Sequence, residues 1–172
     1  YPLNIQLIKE TIGFPIVVKT ISGSQGSGVF LCEKPGHLED LMQLLDTAKT
    51  QANFIIQEFV KTSKGHDVRV FIVGGRVVAC MERIARYGTF KANFSRGGKV
   101  KAFPISREIE WLATDCARVL NLDIAGIDLL FDGESFKICE ANSSPGFKGI
   151  ESCCDISIPD VIFDFIKIRL GI

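Results

Sequence analysis

Two carboxylates and an amide stand at a spacing that suits a hard cation. Asp128 lies in the apolar run "IAGIDLL", and Glu140 and Asn142 lie in "ICEAN", with the turn-forming "FDGES" between them. Two such runs around a Gly-containing turn read as a β-hairpin. Pairing Phe131 with Lys137 and Asp132 with Phe136 sets Asp128 directly opposite Glu140. Asn142, two residues on, shares their face. Directly opposed side chains have Cβ atoms roughly 5 Å apart, and like charges there repel. A solvated polar face is one reading. Yet the neighbours Ile124, Ile127, Leu129, Leu130, Ile138 and Ala141 are apolar. Two carboxylates and an amide oxygen in that setting suit Mg²⁺, which prefers carboxylates together with substrate phosphates and water. The register is the hinge of this reading, because a slip of one residue turns one acid to the other face.

A second group is "KTISGSQGSGVF", residues 19–30. Lys19 ends an apolar run, and Ser22, Gly23, Ser24, Gln25, Gly26, Ser27 and Gly28 follow almost without bulk. A tight hairpin needs only two to five loop residues. Gly lets backbone N–H groups come close to an anion, and a lysine can reach the same phosphate as a point charge. The spacing G-x-x-G-x-G matches neither the dinucleotide fingerprint nor the Walker pattern. A flexible linker with a solvated lysine is the competing reading.

Two further groups carry charge. In "GHDVRVF", Asp67 and Arg69 are two apart on a strand and share a face, and Arg83 on the return strand can approach them. A cross-strand ion pair on a wet face, worth little, would look the same. In "FKANFSRGGK", Asn93, Arg96 and two glycines offer donors to a charged ligand, or form an ordinary loop.

The elements that must hold these groups alternate in kind. Residues 4–12 predict a short helix ended by Gly13. "FPIVVK" and "GVFLCE" predict paired strands, 37–50 a helix with Leu38, Leu41, Leu44, Leu45 and Ala48 at helical spacing, and "NFIIQEFV" a strand. Gly74-Gly75 joins two β-rich runs within 67–85 into a hairpin. Residues 87–98 are polar and irregular. A helix capped by Ser106 runs to Leu120, and a last helix opens at Pro159 and ends near residue 170. Hairpins with helices between them predict an α+β fold with largely antiparallel sheets.

Bulk properties bound the function. The chain has 172 residues, 47% of them hydrophobic, and equal numbers of acidic and basic residues, 20 each. A neutral chain lacks the basic excess of a nucleic-acid-binding surface. No uncharged apolar run approaches the roughly 18 residues of a membrane span, and no secretory leader opens the sequence. The first residue is Tyr1, so the natural N-terminus is expected to lie further upstream. Six cysteines without a C-x-x-C pair, and only two histidines, argue against zinc. The thiols are expected to be buried and structural, in a reducing cytoplasm.

Taken in order, "FPIVVK", "GSQGSGV", "QEFV", "GHDVRVFIVGG", "NFSRGG", "IAGIDLL" and "EANSSPGFKGIE" resemble an ATP-grasp ligase. The likeness is to the RimK type, the glutamate ligases that modify a ribosomal protein's C-terminus, and it runs from about Phe14 to the end. It implies an ATP-grasp fold of two α+β subdomains gripping ATP. Residues 1–60 would form the first, with the Gly/Ser loop and hinge strand, and 61–172 the second, with the metal and phosphate site. Lys19 would contact the ATP phosphates under a lid of Ser22, Gly23, Ser24, Gln25 and Gly26. The backbone of Gln57, Glu58, Phe59 and Val60 would read the adenine edge, and Asp67 would take the ribose. Arg69 and Arg83 would sit near the phosphates and the acyl intermediate. Asn93 and Arg96 would serve the γ-phosphate and the substrate end. Asp128, Glu140 and Asn142 would hold Mg²⁺ or Mn²⁺, two ions in all.

The chemistry implied is attack of a carboxylate on the γ-phosphate, giving an acyl phosphate and ADP, followed by attack of an amine. Glutamate is the favoured amine, and a peptide or protein C-terminus the acceptor, with no nucleic acid and no membrane as partner. Two departures stand out. Lys91 and Ala92 replace the arginine and serine that RimK-type ligases place before the asparagine, which bears on the acceptor. The separate domain that family members carry ahead of the two grasping ones is not expected in this chain. Rival readings are a carrier-protein or small-molecule amino-acid ligase, as in lysine biosynthesis, and a nucleotide-binding module without catalysis.

Overall fold

Apolar alternation sets the layers of each half of the chain. The computed structural model describes residues 4–21, 27–49, 53–86, 90 and 97–172. They divide into two compact units, 1–59 and 60–172.

In the first unit, Asn4 caps α1 (Ile5–Thr11) by accepting a hydrogen bond from the Leu7 amide at 3.0 Å. Three antiparallel strands follow in the order β2-β1-β3: β1 (Ile16–Thr20), β2 (Val29–Cys32) and β3 (Phe54–Glu58). Alternate residues of β1, Ile16 and Val18, pack with Ile8, Cys32 and Leu38 into one core. Leu38 comes from α2 (Pro35–Thr47). This helix begins two residues earlier and ends three earlier than its leucine spacing predicts. Pro35 explains the start, because its fixed φ suits the first helical turn and it has no N–H to leave unpaired there.

The second unit is a five-stranded antiparallel sheet, β6-β5-β4-β7-β8. Its strands are β4 (His66–Val73), β5 (Arg76–Ile84), β6 (Lys99–Ala102), β7 (Ile124–Asp132) and β8 (Ser135–Asn142). Gly74 and Gly75, at φ +58° and +75°, make the tight β4–β5 turn. Positive φ at both central residues is what such a turn requires. One sheet face carries Val68, Val70, Ile72, Ala125, Ile127 and Leu129 against Ile109, Ala113 and Ala117 of α3 (Arg107–Val119). Ser106 caps α3 by accepting from the Ile109 amide at 3.2 Å. The acid expected to reciprocate is displaced one place, to Glu110. The other face is divided. Phe71, Val73, Ala79 and Met81 pack with Ile150 of α4 (Lys148–Glu151) and Ile158 of α5 (Ile158–Leu170). The same face also carries Asp67, Arg69, Arg83 and Asp128.

Three elements were not anticipated: the 3-10 turn Lys61–Ser63, β6 and α4. Each is only three or four residues long, too short to show a period. The cysteines also differ from expectation. Cys32 and Cys80 are buried, but Cys116, Cys139, Cys153 and Cys154 are only half-buried. No described helix is long and apolar enough to cross a membrane.

Candidate functional site

The β7–β8 hairpin brings its two acids face to face by a route the sequence does not display. The turn is one residue tighter than expected. Asp132 pairs with Ser135 and Phe131 with Phe136, leaving the two-residue loop Gly133-Glu134. On that register alone Asp128 would miss Glu140. A bulge after Asp128 adds Cys139 to the β8 side, and the pairing Asp128↔Glu140 results. Gly126 then pairs with Asn142. Asn142 Nδ2 donates to Glu140 Oε1 at 3.2 Å and lies 3.4 Å from the Gly126 carbonyl oxygen. The Pro145 ring covers Gly126 so closely that a Cβ there would lie 2.7 Å from the proline Cβ.

Asp128 and Glu140 nonetheless live in different surroundings. Glu140 is exposed, while Asp128 is 3% exposed. The strand order β5-β4-β7 lays Arg69 directly opposite Asp128 and Asp67 directly opposite Arg83. Arg69 grips Asp128 with two N–H groups, Nε to Oδ1 and Nη2 to Oδ2, both 2.7 Å. Arg83 grips Asp67 likewise, at 2.6 and 2.8 Å, and its Nη2 also donates to Asp128 Oδ2 at 2.8 Å. All four side chains are at most 15% exposed. This is a desolvated, neutral network, not the wet-face ion pair that sequence alone allowed, and its forks are of the strong bidentate kind.

The two buried carboxylates are shifted in opposite directions. Burial disfavours the Asp128 carboxylate, but Arg83 and Arg69 together outweigh that and hold its pKa below the usual range. Burial pushes the Asp67 carboxyl up to about 6; Arg83 opposes this and the Asp128 charge adds to it. A raised native pKa means that Asp67 supports the fold below its unfolded value of about 3.9, and that this support is lost as pH rises through about 6. Asp128 behaves oppositely: its support is present above about 3.9 and lost as pH falls through its depressed native pKa. A carbon-detected carboxyl titration should give Asp67 a midpoint near 6. A midpoint at or below about 4 would refute the assignment.

Metal fit follows from counting lone pairs. An ionised carboxylate offers about four acceptor positions. Three arginine N–H groups occupy three on Asp128, and one remains on Oδ1. Exposed Glu140 keeps Oε2 available among the described contacts, and Asn142 adds its amide oxygen. Oxygen donors of this number and hardness fit a Mg²⁺ ion completed by phosphate and water.

Of the other expected site residues, Lys19, Gln57, Glu58 and Phe59 belong to the first unit. Lys19 is on β1, opposite Val29 and Ile55, and shares a sheet face with Val17 and Gln57. Gln57 and Glu58 end β3, an outer strand of its sheet; the Phe59 amide donates to the Pro15 carbonyl at 3.2 Å, and Val60 opens the second unit. Ser22, Gly23, Ser24, Gln25, Gly26, Asn93 and Arg96, with Lys91 and Ala92, lie outside the described residues.

One cluster was missed. His66 stacks on Phe131 at 4.4 Å; its Nδ1 lies 3.2 Å from Glu82 Oε1 and its Nε2 3.0 Å from the Thr62 carbonyl oxygen. Both partners are acceptors, so both ring nitrogens donate when the imidazole is protonated. Ser63 and Thr62 also bond to the Phe131 backbone, tying the 3-10 turn to β7. A histidine directly before Asp67 was the available signal.

The chain is similar to known proteins over most of its length. The family model described as "RimK-like ATP-grasp domain" matches residues 3–166. The chain is 39% identical over 168 residues to a probable alpha-L-glutamate ligase of Vibrio parahaemolyticus, covering 97% of this chain and 55% of that protein. It is 39% identical over 158 residues to beta-citrylglutamate synthase B of Danio rerio, covering 91% of this chain and 38% of that one. It thus spans about half, or less, of these relatives' length. Among solved structures, the ATP-grasp ligase PsnB, complexed with a phosphomimetic variant of its minimal precursor, Mg and ADP, superposes with a TM-score of 0.71. That match has 20% identity and covers 96% of this chain and 50% of that one. At that identity the likeness concerns the fold, an α+β ATP-grasp architecture built on antiparallel sheets. Since the family model spans nearly the whole sequence, the chain belongs to the RimK-like ATP-grasp domain family.

Proposed function

We propose that this chain supplies the nucleotide and metal machinery of an ATP-dependent carboxylate–amine ligase. The reaction joins an amino acid, glutamate being favoured, to the C-terminal carboxylate of a peptide or protein, with ADP and phosphate as by-products. The observation that carries the reading is the charged half-face of the second sheet, where Arg69, Arg83, Asp67, Asp128, Glu140 and Asn142 converge. Resemblance to a probable alpha-L-glutamate ligase over 97% of the chain supports the choice of amine.

Each residue has a role in this reading. Lys19 and the loop 22–26 bind the phosphates, and the backbone of Gln57 through Val60 reads the adenine edge. Asp67, held by Arg83, takes the ribose. Asp128 fixes both guanidiniums in place, so that they meet a triphosphate without reorganising, which is the form of electrostatic help that costs least at the moment of reaction. Glu140, Asn142 and the remaining Asp128 lone pair would hold Mg²⁺ or Mn²⁺, which would supply neutralisation of phosphate charge. Asn93 and Arg96 orient the γ-phosphate and the carboxylate. No protein nucleophile is needed, because the substrate carboxylate attacks. The cysteine usage keeps the proposed setting a reducing, cytoplasmic one.

A second reading, ligation onto a small free carboxylate, draws on the 39% identity to beta-citrylglutamate synthase B. Both readings are tested by ADP release from the full natural protein with ATP, Mg²⁺ and glutamate. Acceptors are peptides with free C-termini in one arm and citrate-like acids in the other. ADP release that requires both glutamate and a peptide supports the first reading. A requirement for the small acid supports the second. Release that ignores both substrates overturns the ligase reading.

A further inference from the structure

The turn between α4 and α5 holds two adjacent thiols that the ligase chemistry does not use. Cys153 Sγ and Cys154 Sγ are 3.9 Å apart. Both amides donate to the Ile150 carbonyl, at 3.2 and 2.8 Å, and the Ile156 amide closes the turn onto Cys154 O at 2.8 Å. The sulfurs are fixed as well. Cys153 Sγ lies 3.5 Å from the Gly149 carbonyl oxygen, and Cys154 Sγ 3.5 Å from that of Cys80. Both residues are half-buried and line a surface cavity of about 610 Å³ formed by residues 151–157.

Such a pair has three possible fates. A zinc site needs four ligands, and no group of three or more His, Cys, Asp or Glu side chains placed to hold a metal ion occurs among the described residues. A direct disulfide has its sulfurs about 2.0 Å apart and its Cα atoms usually about 4.4–6.8 Å apart, and departures from that range store strain. The Cys153–Cys154 peptide is trans, so its Cα atoms stand only about 3.8 Å apart. The third fate is a bridge by a soft trivalent centre, which accepts a wider S···S separation than a disulfide. We propose that Cys153 and Cys154 form a chelating dithiol site for trivalent organoarsenicals, the open cavity receiving the organic group.

The step balances without an oxidant. Phenylarsine oxide and two thiols condense: both S–H bonds break and two As–S bonds form. The oxide oxygen leaves as water with the two protons, and arsenic stays trivalent. Burial, with the neighbouring Cys154, pushes the Cys153 thiol up to about 11, so it is a neutral thiol at ordinary pH. That slows thiolate-driven disulfide exchange, while the condensation carries both thiol protons away in the water it releases.

The test uses the reduced full chain with phenylarsine oxide, read by intact mass and by peptide mapping. The expected result is a 1:1 adduct that survives excess 2-mercaptoethanol and is released by 2,3-dimercaptopropanol. Cys153→Ser and Cys154→Ser should each weaken capture by about 10²-fold or more, since the chelate advantage is lost. Cys116→Ser should leave it unchanged. If either serine variant at 153 or 154 fails to fold, mapping on the wild type decides: arsenic bridging the 153–154 peptide supports the proposal. No adduct on the wild type, an adduct that both serine variants retain, or arsenic mapped to Cys80 would overturn it.

Discussion

Glu140→Gln should lower ligase turnover by about 10³-fold or more while leaving the fold intact. Glu140 is exposed at the end of β8, and its described side-chain contact is the 3.2 Å hydrogen bond from Asn142. Glutamine keeps the shape and can still accept from that amide. What it loses is a charged ligand for a hard cation whose phosphate neutralisation is worth several kcal/mol in the transition state. Each 1.36 kcal/mol is tenfold in rate, so a loss of about 4 kcal/mol gives the stated effect. Steady-state ADP release across a Mg²⁺ titration, beside a thermal melt, measures both halves. Near-normal turnover, or a melt shifted by many degrees, would contradict the assigned role.

Asp128→Asn should behave quite differently, although it faces Glu140 across the hairpin. Asparagine can accept on one oxygen only, and its NH₂ group points donors at Arg69 or Arg83. Arg69, with its side chain 15% exposed, would then lack its counter-charge, and Arg83, 10% exposed, would keep only Asp67. Removing one partner of a buried ion pair costs about 3–5 kcal/mol. The expected result is a fall of that size in the unfolding free energy, seen as a lower denaturant midpoint at unchanged slope. The second unit should show it first. A midpoint within experimental error of wild type would mean that the Arg69–Asp128–Arg83 network contributes nothing to folding.

The contrast between these two acids marks the boundary of what local sequence could tell. The hairpins were legible because Gly74-Gly75 and "DGES" are turn chemistry between β-rich runs. The facing of Asp128 and Glu140 was also anticipated, but through an assumed turn that is one residue too wide. The bulge at Cys139 offset that error. What local patterns could not carry is the pairing of β4 with β7, which sets Arg69 against a residue 59 positions away. Strand adjacency of that kind is decided by packing of whole faces, here against α3, and leaves no period in the sequence. For the same reason Asp67–Arg83, close in sequence across a hairpin, was readable as a pair, while its burial was not. Lys19 and Gln57 were placed on strands from apolar runs alone. Ser22 through Gly26, with Asn93 and Arg96, fall outside the described residues, so their roles rest on motif order.

The central claim is the reaction type, and a nucleophile trap tests it most directly. If the carboxylate substrate is activated as an acyl phosphate, hydroxylamine can replace the natural amine and capture the acyl group as a hydroxamate. The full natural protein, incubated with ATP, Mg²⁺, hydroxylamine and a panel of peptide and small carboxylates, should yield a hydroxamate in step with ADP. Glu140→Gln should lose both products together. ADP formed without hydroxamate from every carboxylate tried would identify a kinase or an ATPase and contradict the ligase account.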